Sequence, residues 1–219
     1  KEFRTCLTGY VNETETNATT RLIERPIDLG QRVRDTSPHL GRLAQAKSVQ
    51  AQVMADAARR AGFTVDVSSR VEDSFIGKLW LEFLKSCKFT VGMKGGASLH
   101  DPIGLLHTKV NSHLARHPNA KFDEIERKFF LGKDMKYKFS AISPRLFESA
   151  TAGTCQILQR DDYLGVLEPW RDYIPLEVDF SNVDEVLLSM RDLEMCQEIA
   201  NNATRSLVES GLFKYSKLV

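Results

Sequence analysis

Two periods of hydrophobicity alternate along most of the chain. Short apolar runs, or runs alternating with period two, read as strands, and longer runs with apolar positions every three or four residues read as helices. The first is "RPIDLG" (25–30), a short strand that ends in Gly30. In the stretch 41–62, Leu43, Ala46, Gln50, Val53, Met54, Ala57 and Ala61 fall near helical spacing, and Gly62 suits the position just past the helix end. Phe63, Val65 and Val67 then alternate through a strand at 63–68. Phe75, Leu79 and Phe83, with Ile76, Trp80 and Leu84 alongside, predict an amphipathic helix at 74–86. "KFTVGM" (88–93) is the next strand, and it runs into the glycine-rich turn "KGGASLHDPIG".

The second half repeats the pattern. Residues 106–132 read as helical but broken by Pro118. "KFSAI" (138–142) is a strand, and 143–153 is a helix with Ser143 as N-cap, Pro144 in the first turn and Gly153 past the end. "CQILQ" (155–159) is a strand, 173–180 is extended, and helices at about 182–192 and 194–210 close the chain. Residues 1–24, with the polar tract "NETETNATT", read as a linker or the remnant of a neighbouring domain, leaving one domain over 25–219. Strands alternating with helices predict an α/β fold: a Rossmann-like, three-layer αβα domain with a mainly parallel sheet. Ligands of such sheets bind beyond the carboxyl ends of the strands, so chemistry is expected in the residues that follow each strand.

Charge and composition narrow the partners. A net charge of +1 over 219 residues excludes, for the chain as a whole, a polybasic nucleic-acid or membrane binder and leaves room for a local basic site. No apolar run approaches the ~20 residues of a membrane-spanning helix, and no secretory leader is evident. The absence of an initiator Met reads as a piece of a longer protein or a processed form. Cys6, Cys87, Cys155 and Cys196 are widely spaced and read as buried free thiols, which points to a reducing, cytoplasmic setting. Asn12, Asn17 and Asn202 open N-x-Thr triplets, a pattern common by chance.

Three strand ends carry candidate chemistry. After the first, Arg32, Arg34 and Arg42 precede or open a helix that also carries Lys47. Cations there oppose the helix macrodipole unless an anion such as a diphosphate offsets them; the plain alternative is a solvated helix entry. After the third, Gly95 and Gly96 allow close backbone approach to a ligand, with His100 and Asp101 on the same rim. The sequence there matches neither the dinucleotide-binding nor the P-loop glycine pattern. In "SPRLFESATAGT" (143–154), Arg145 and Glu148 share a helix face, as a phosphate-binding cation and a ribose-binding carboxylate would, or as a local salt bridge. His113 and His117 have a zinc-compatible spacing but lack a third ligand, so no metal site is expected. Trp80 and Phe83 read as core. Trp170 is a loop aromatic that packs under its loop or covers a sugar or base.

The run "SPRLFESATAGTCQIL…YLGVLEPWRDYIPLEVDFSNVDEVL" resembles the C-terminal domain of bacterial GT-B glycosyltransferases of the family 1/4-like group, and "GQRVR…GRLAQAK" and "GKLWLEFLKSCKFTVGMKGGASLHDPIG" extend the resemblance over roughly 25–215. It implies one half of a GT-B architecture that binds a nucleotide-diphosphate sugar for transfer to a glycan or other hydroxyl acceptor. Arg32, Lys47 and Arg145 would then hold the donor diphosphate, Glu148 the ribose, and Gly95, Gly96, His100 and Asp101 would lie beside the donor. An N-terminal domain or partner subunit would supply the acceptor site and base, so no catalytic residue is assigned, and no cofactor, nucleic acid or transmembrane segment is expected. Retaining members often carry two glutamates eight positions apart; the position eight before Glu148 is Ser140, so retaining chemistry does not carry over. The alternative is a non-catalytic nucleotide- or sugar-phosphate-binding module acting with a partner.

Overall fold

A computed structural model describes residues 9–11 and 20–217. Strand β1 (Ile27–Arg32) leads into helix α1 (Arg42–Arg60), strand β2 (Val65–Ser68), helix α2 (Lys78–Ser86) and strand β3 (Cys87–Gly92). After β4 (Gly95–Ala97) come helices α3 (Leu105–Arg116) and α4 (Phe122–Phe129), then β5 (Phe139–Ala141). Helix α5 (Pro144–Thr151), strands β6 (Cys155–Gln159) and β7 (Ile174–Leu176), and helices α6 (Val183–Ser189) and α7 (Leu193–Thr204) complete the chain. The main sheet has five strands in the order β2-β1-β3-β6-β7, and every pairing in it is parallel. The α/β, Rossmann-like architecture expected from the alternation is therefore present.

Side-chain alternation in the strands builds the layers. Phe89 and Val91 of β3 and Ile157 of β6 join Met54 of α1, Val186 of α6 and Ile199 of α7 in one cluster. Leu158 points the other way, to Leu146, Phe147 and Ala150 of α5. Each fully buried side chain of this size contributes about 1.5–3 kcal/mol. At the amino ends of the strands, Arg25 is buried. It donates to the carbonyls of Cys87, Ala152 and Thr20 and to Thr154 Oγ1, at 2.9–3.1 Å. Burial lowers its pKa to about 10, and these oxygens keep the charge tolerable.

Several local expectations change. Strand β1 does not stop at Gly30 but runs on to Arg32. Gly30 serves close packing instead: a Cβ there would lie 2.1 Å from Cys87 Sγ and 3.0 Å from the Phe83 ring. Helix α2 starts at Lys78 rather than 74, after Gly77 at φ 60°. Residues 139–141 do not join the parallel sheet; they pair antiparallel with Gly95–Ala97 in a separate two-stranded ribbon. Gly96 permits this, since a Cβ would come within 2.0 Å of the Phe139 carbonyl oxygen. The expected turn at Gly95–Gly96 is thus a strand, and α3 and α4 form an insertion between the two ribbon strands, with a core of Leu99, Val110, Ile125 and Phe130. Pro118 does separate the two helices. Ser143 stands at the N-cap of α5, but its side chain makes no capping bond.

Gly62, at φ 85°, ends α1 as expected. Phe63 N–H bonds the Ala58 carbonyl and Gly62 N–H the Arg59 carbonyl, the paired bonds of a Schellman closure. Before residue 25, Leu22 is fully buried in the core and Val11 N–H bonds the Phe213 carbonyl at 2.7 Å. Cys6, Asn12 and Asn17 lie outside the described residues. Cys87, Cys155 and Cys196 are buried free thiols, and burial pushes the Cys87 thiol up to about 12. Asn202 lies in α7, where the hydroxyl of Thr204 is buried against the Ala150 carbonyl. No helix among the described residues is long and apolar enough to cross a membrane.

Candidate functional site

The strand order creates one topological switch. From β1 the chain passes through α1 to β2 on one side, then crosses through α2 to β3 on the other side of β1. A crevice therefore opens above the carboxyl ends of β1 and β3, where open α/β sheets bind ligands. A cavity of about 40 Å³ lies there, walled by Gln31, Thr90, Lys47, Gln50, Trp80 and Arg145 among others. It has room for a few water-sized groups.

Lys47 is the side chain that stands out. Its Nζ packs against Gly95, where a Cβ would lie only 2.9 Å away, and among the described residues it has no hydrogen-bond or ion-pair partner. Burial lowers its pKa, and the nearby Arg145 charge lowers it further. Arg145 is also lowered by burial, with Glu148 opposing the shift and Arg34 adding to it. The guanidinium of Arg145 lies 4.7 Å over the Trp80 ring and donates to the Arg32 carbonyl. Two partly desolvated cations thus share one crevice, and a carboxylate balances only Arg145.

Polar groups line the rest. Thr90 is 4% exposed, and its Oγ1 has no hydrogen-bond partner among the described residues. Gln50 donates to the Gly92 carbonyl at 3.1 Å, Gln31 to the Val91 carbonyl, and Gln156 to the Leu146 carbonyl at 3.1 Å. Sequence reasoning left Thr90, Gln31 and Gln156 out. The available signals were a hydroxyl amid the apolar run of β3 and a glutamine, Gln50, on the apolar stripe of α1.

The other candidates go to different places. Arg32 is buried and turned toward β2: it pairs with Asp66 at 2.9 Å, donates to the Asp73 carbonyl and stacks on Phe83 at 4.2 Å. Its side chain does not line the crevice, while its carbonyl holds Arg145. Arg42 pairs with Asp123 and Glu126 of α4. Glu148 accepts the Trp80 indole N–H at 2.7 Å and sits beside Arg145 without lining the cavity. Gly95 and Gly96 form the ribbon described above. His100 is exposed against Tyr137 and Phe139, and Asp101 accepts the His107 amide at the start of α3, which lowers its pKa. These two line a separate hollow on the insertion. The His113 and His117 rings lie 4.5 Å apart, and no group of three or more potential metal ligands occurs among the described residues. Trp170 is partly exposed, at φ 63°.

A larger cleft of about 770 Å³ adjoins the crevice, with Met93 in both walls. It is bounded by Leu43, Ala46 and Val49 of α1, Phe122 of α4, and Val178 and Phe180 beyond β7. Lys94 and Arg160 reach it but are paired with Asp161 and Glu177, whereas Lys138 has no partner among the described residues. This volume falls within the range of small-ligand sites.

No protein-family model matches the sequence, and no curated protein matches it. Among solved structures, the chain is similar to an α1,3-fucosyltransferase at 9% identity and a TM-score of 0.46, over 84% of this chain and 39% of that one. It is similar to the C-terminal domain of the glycosyl transferase group 1 family protein LpcC from Francisella tularensis at 12% identity and a TM-score of 0.42, over 91% and 97%. It is similar to TarM at 11% identity and a TM-score of 0.42, over 90% and 34%. The chain therefore spans well under half of the first and third of these proteins and nearly all of the second. Likenesses at this level assign no activity; the α/β architecture rests on the sheet itself.

Proposed function

We propose that this chain is the donor-binding half of a glycosyltransferase, which takes a nucleotide-diphosphate sugar across the crevice above β1 and β3. The carrying observation is the Lys47 ammonium, half-buried beside Arg145, with no anionic partner among the described residues. A diphosphate supplies the missing counter-charge through charge-assisted hydrogen bonds. The first turn of α5, at the same crevice, adds the partial positive charge of a helix N-terminus. The crevice is too small to swallow a diphosphate, so the phosphates lie across its mouth, and the rest of the donor extends into the larger cleft past Met93.

Arg145 then exchanges its bond to the Arg32 carbonyl for a phosphate oxygen, and Arg32 acts by position rather than by contact. Glu148 keeps acceptor capacity beyond the Trp80 indole, enough for a ribose hydroxyl. Gly95 leaves room for Lys47. The charge that develops on the leaving diphosphate is stabilised by these groups, while the base and acceptor come from an N-terminal domain or partner subunit. The resemblance of residues 143–187 to the family 1/4-like group supports the same reading.

Thermal shift and calorimetry with UDP-, GDP-, CMP- and TDP-sugars test it. At least one binds, and Lys47→Ala and Arg145→Ala each weaken it by about 1–3 kcal/mol. Binding of none, or unchanged affinity in both variants, refutes the reading. Turnover with an added acceptor separates a transferase from a module that only binds.

A further inference from the structure

The insertion between β4 and β5 has a character of its own. Residues 98–138 carry eight lysines and arginines against five aspartates and glutamates, a net +3 in a chain whose total is +1. The segment is fastened to the domain at one edge. Asp134 accepts the Arg42 amide at 2.7 Å, Ser98 Oγ accepts the Leu43 amide at 3.1 Å, Arg42 pairs with α4, and the His39 and His107 rings meet at 4.4 Å.

The exposed side holds a hollow of about 400 Å³, floored by Leu99 and Phe130 and rimmed by Lys109, Lys133 and Lys136. Among the described residues, none of these three lysines has a partner. The one carboxylate of the hollow, Asp101, already accepts amides of α3. Leu105 (56% exposed) and Tyr137 (60%) line the hollow with the lysines, and Leu131 (68%) and Ile103 (77%) are exposed within two residues of its lining along the chain. A soluble anion would explain the lysines but not the leucines. An acidic protein partner would need an apolar pocket matched to each protruding tip, whereas a lipid layer takes up such tips without a matched pocket.

We infer that this face of the insertion docks on an anionic phospholipid surface, with Ile103, Leu105, Leu131 and Tyr137 entering the headgroup region and Lys109, Lys133 and Lys136 meeting the phosphates. Amphipathic surface anchors combine these two contributions, buried apolar area and attraction to anionic lipid. Each lysine near the surface strengthens such binding about five-fold at moderate salt, and screening weakens that share as salt rises. The inference is independent of what fills the crevice above β1 and β3.

Co-sedimentation of the chain with phosphatidylcholine vesicles, and with vesicles that also carry phosphatidylglycerol, tests it. Sedimentation is expected only with the anionic vesicles, falling at high salt. The double variant Lys133→Ala/Lys136→Ala should weaken it about 25-fold, and Leu105→Ser/Leu131→Ser should weaken it as well, with thermal melts close to those of the unmodified chain. No sedimentation with either vesicle overturns the inference, as does sedimentation unaffected by both variants. Heparin binding that depends on the lysines but not on the leucines, without vesicle binding, also overturns it and assigns the face to soluble polyanions.

Discussion

Thr90→Val is the substitution whose two effects pull furthest apart. Thr90 sits in β3, the central strand, is 4% exposed, and its Oγ1 has no hydrogen-bond partner among the described residues. Leaving a buried hydroxyl unsatisfied costs about 1–3 kcal/mol of desolvation. Valine has nearly the same shape, suits a central strand and removes that cost. The free protein should therefore gain on the order of 1 kcal/mol, which for a domain of this size raises the melting temperature by about 2–4 °C. The same hydroxyl faces the crevice beside Lys47, so a bound diphosphate or its hydration shell loses a donor, and nucleotide-sugar affinity should fall about three- to ten-fold. Thermal and urea melts measure the first effect and calorimetry the second. A variant that melts lower by several degrees would refute the reasoning, because the hydroxyl would then be well bonded in the free protein. A more stable variant with unchanged nucleotide affinity would remove Thr90 from the site.

Three further outcomes follow from the same geometry. Burial and Arg145 hold the Lys47 pKa below its ordinary value, so the unfolded chain binds more protons in the alkaline window between the two; stability without ligand should rise with pH there, while nucleotide affinity falls, and titrations on the unmodified chain and Lys47→Met check both signs. Glu148→Gln keeps an oxygen that can accept the Trp80 indole N–H, so its melting temperature should stay within about 2 °C while nucleotide-sugar affinity drops; a large loss of stability with unchanged binding per folded molecule makes the residue structural. Gly96→Ala forces a Cβ against the Phe139 carbonyl, so it should cost about 1–3 kcal/mol in urea melts and loosen the insertion in hydrogen exchange; a neutral melt shows that the ribbon yields.

Periodicity by itself determined most of the architecture. A strand or helix is a local bargain between side-chain spacing and backbone hydrogen bonds, so the 3.6 and 2.0 periods located α1, β2, β3, α5 and β6 within a few residues. Glycine and proline marked the ends of α1 and α5 and the break between α3 and α4 because their backbone restrictions are local too. Strand pairing is not local. "KFSAI" has the same alternation whether it enters a parallel sheet or a ribbon, and its antiparallel pairing depends on a bare glycine backbone at Gly96, more than forty residues earlier. Gly30 likewise looked like a turn, and only the approach of Cys87 and Phe83 shows that it is a contact.

The same division separates the candidate cations. Arg32, Lys47 and Arg145 read alike as basic residues near strand ends, yet Asp66 on the neighbouring strand claims Arg32, while no carboxylate of the described residues pairs with Lys47. The sequence states which residues carry charge. Whether a charge is already balanced depends on distances between segments far apart in the chain, because Coulomb energies fall with separation and rise with burial, and the tertiary structure alone decides both.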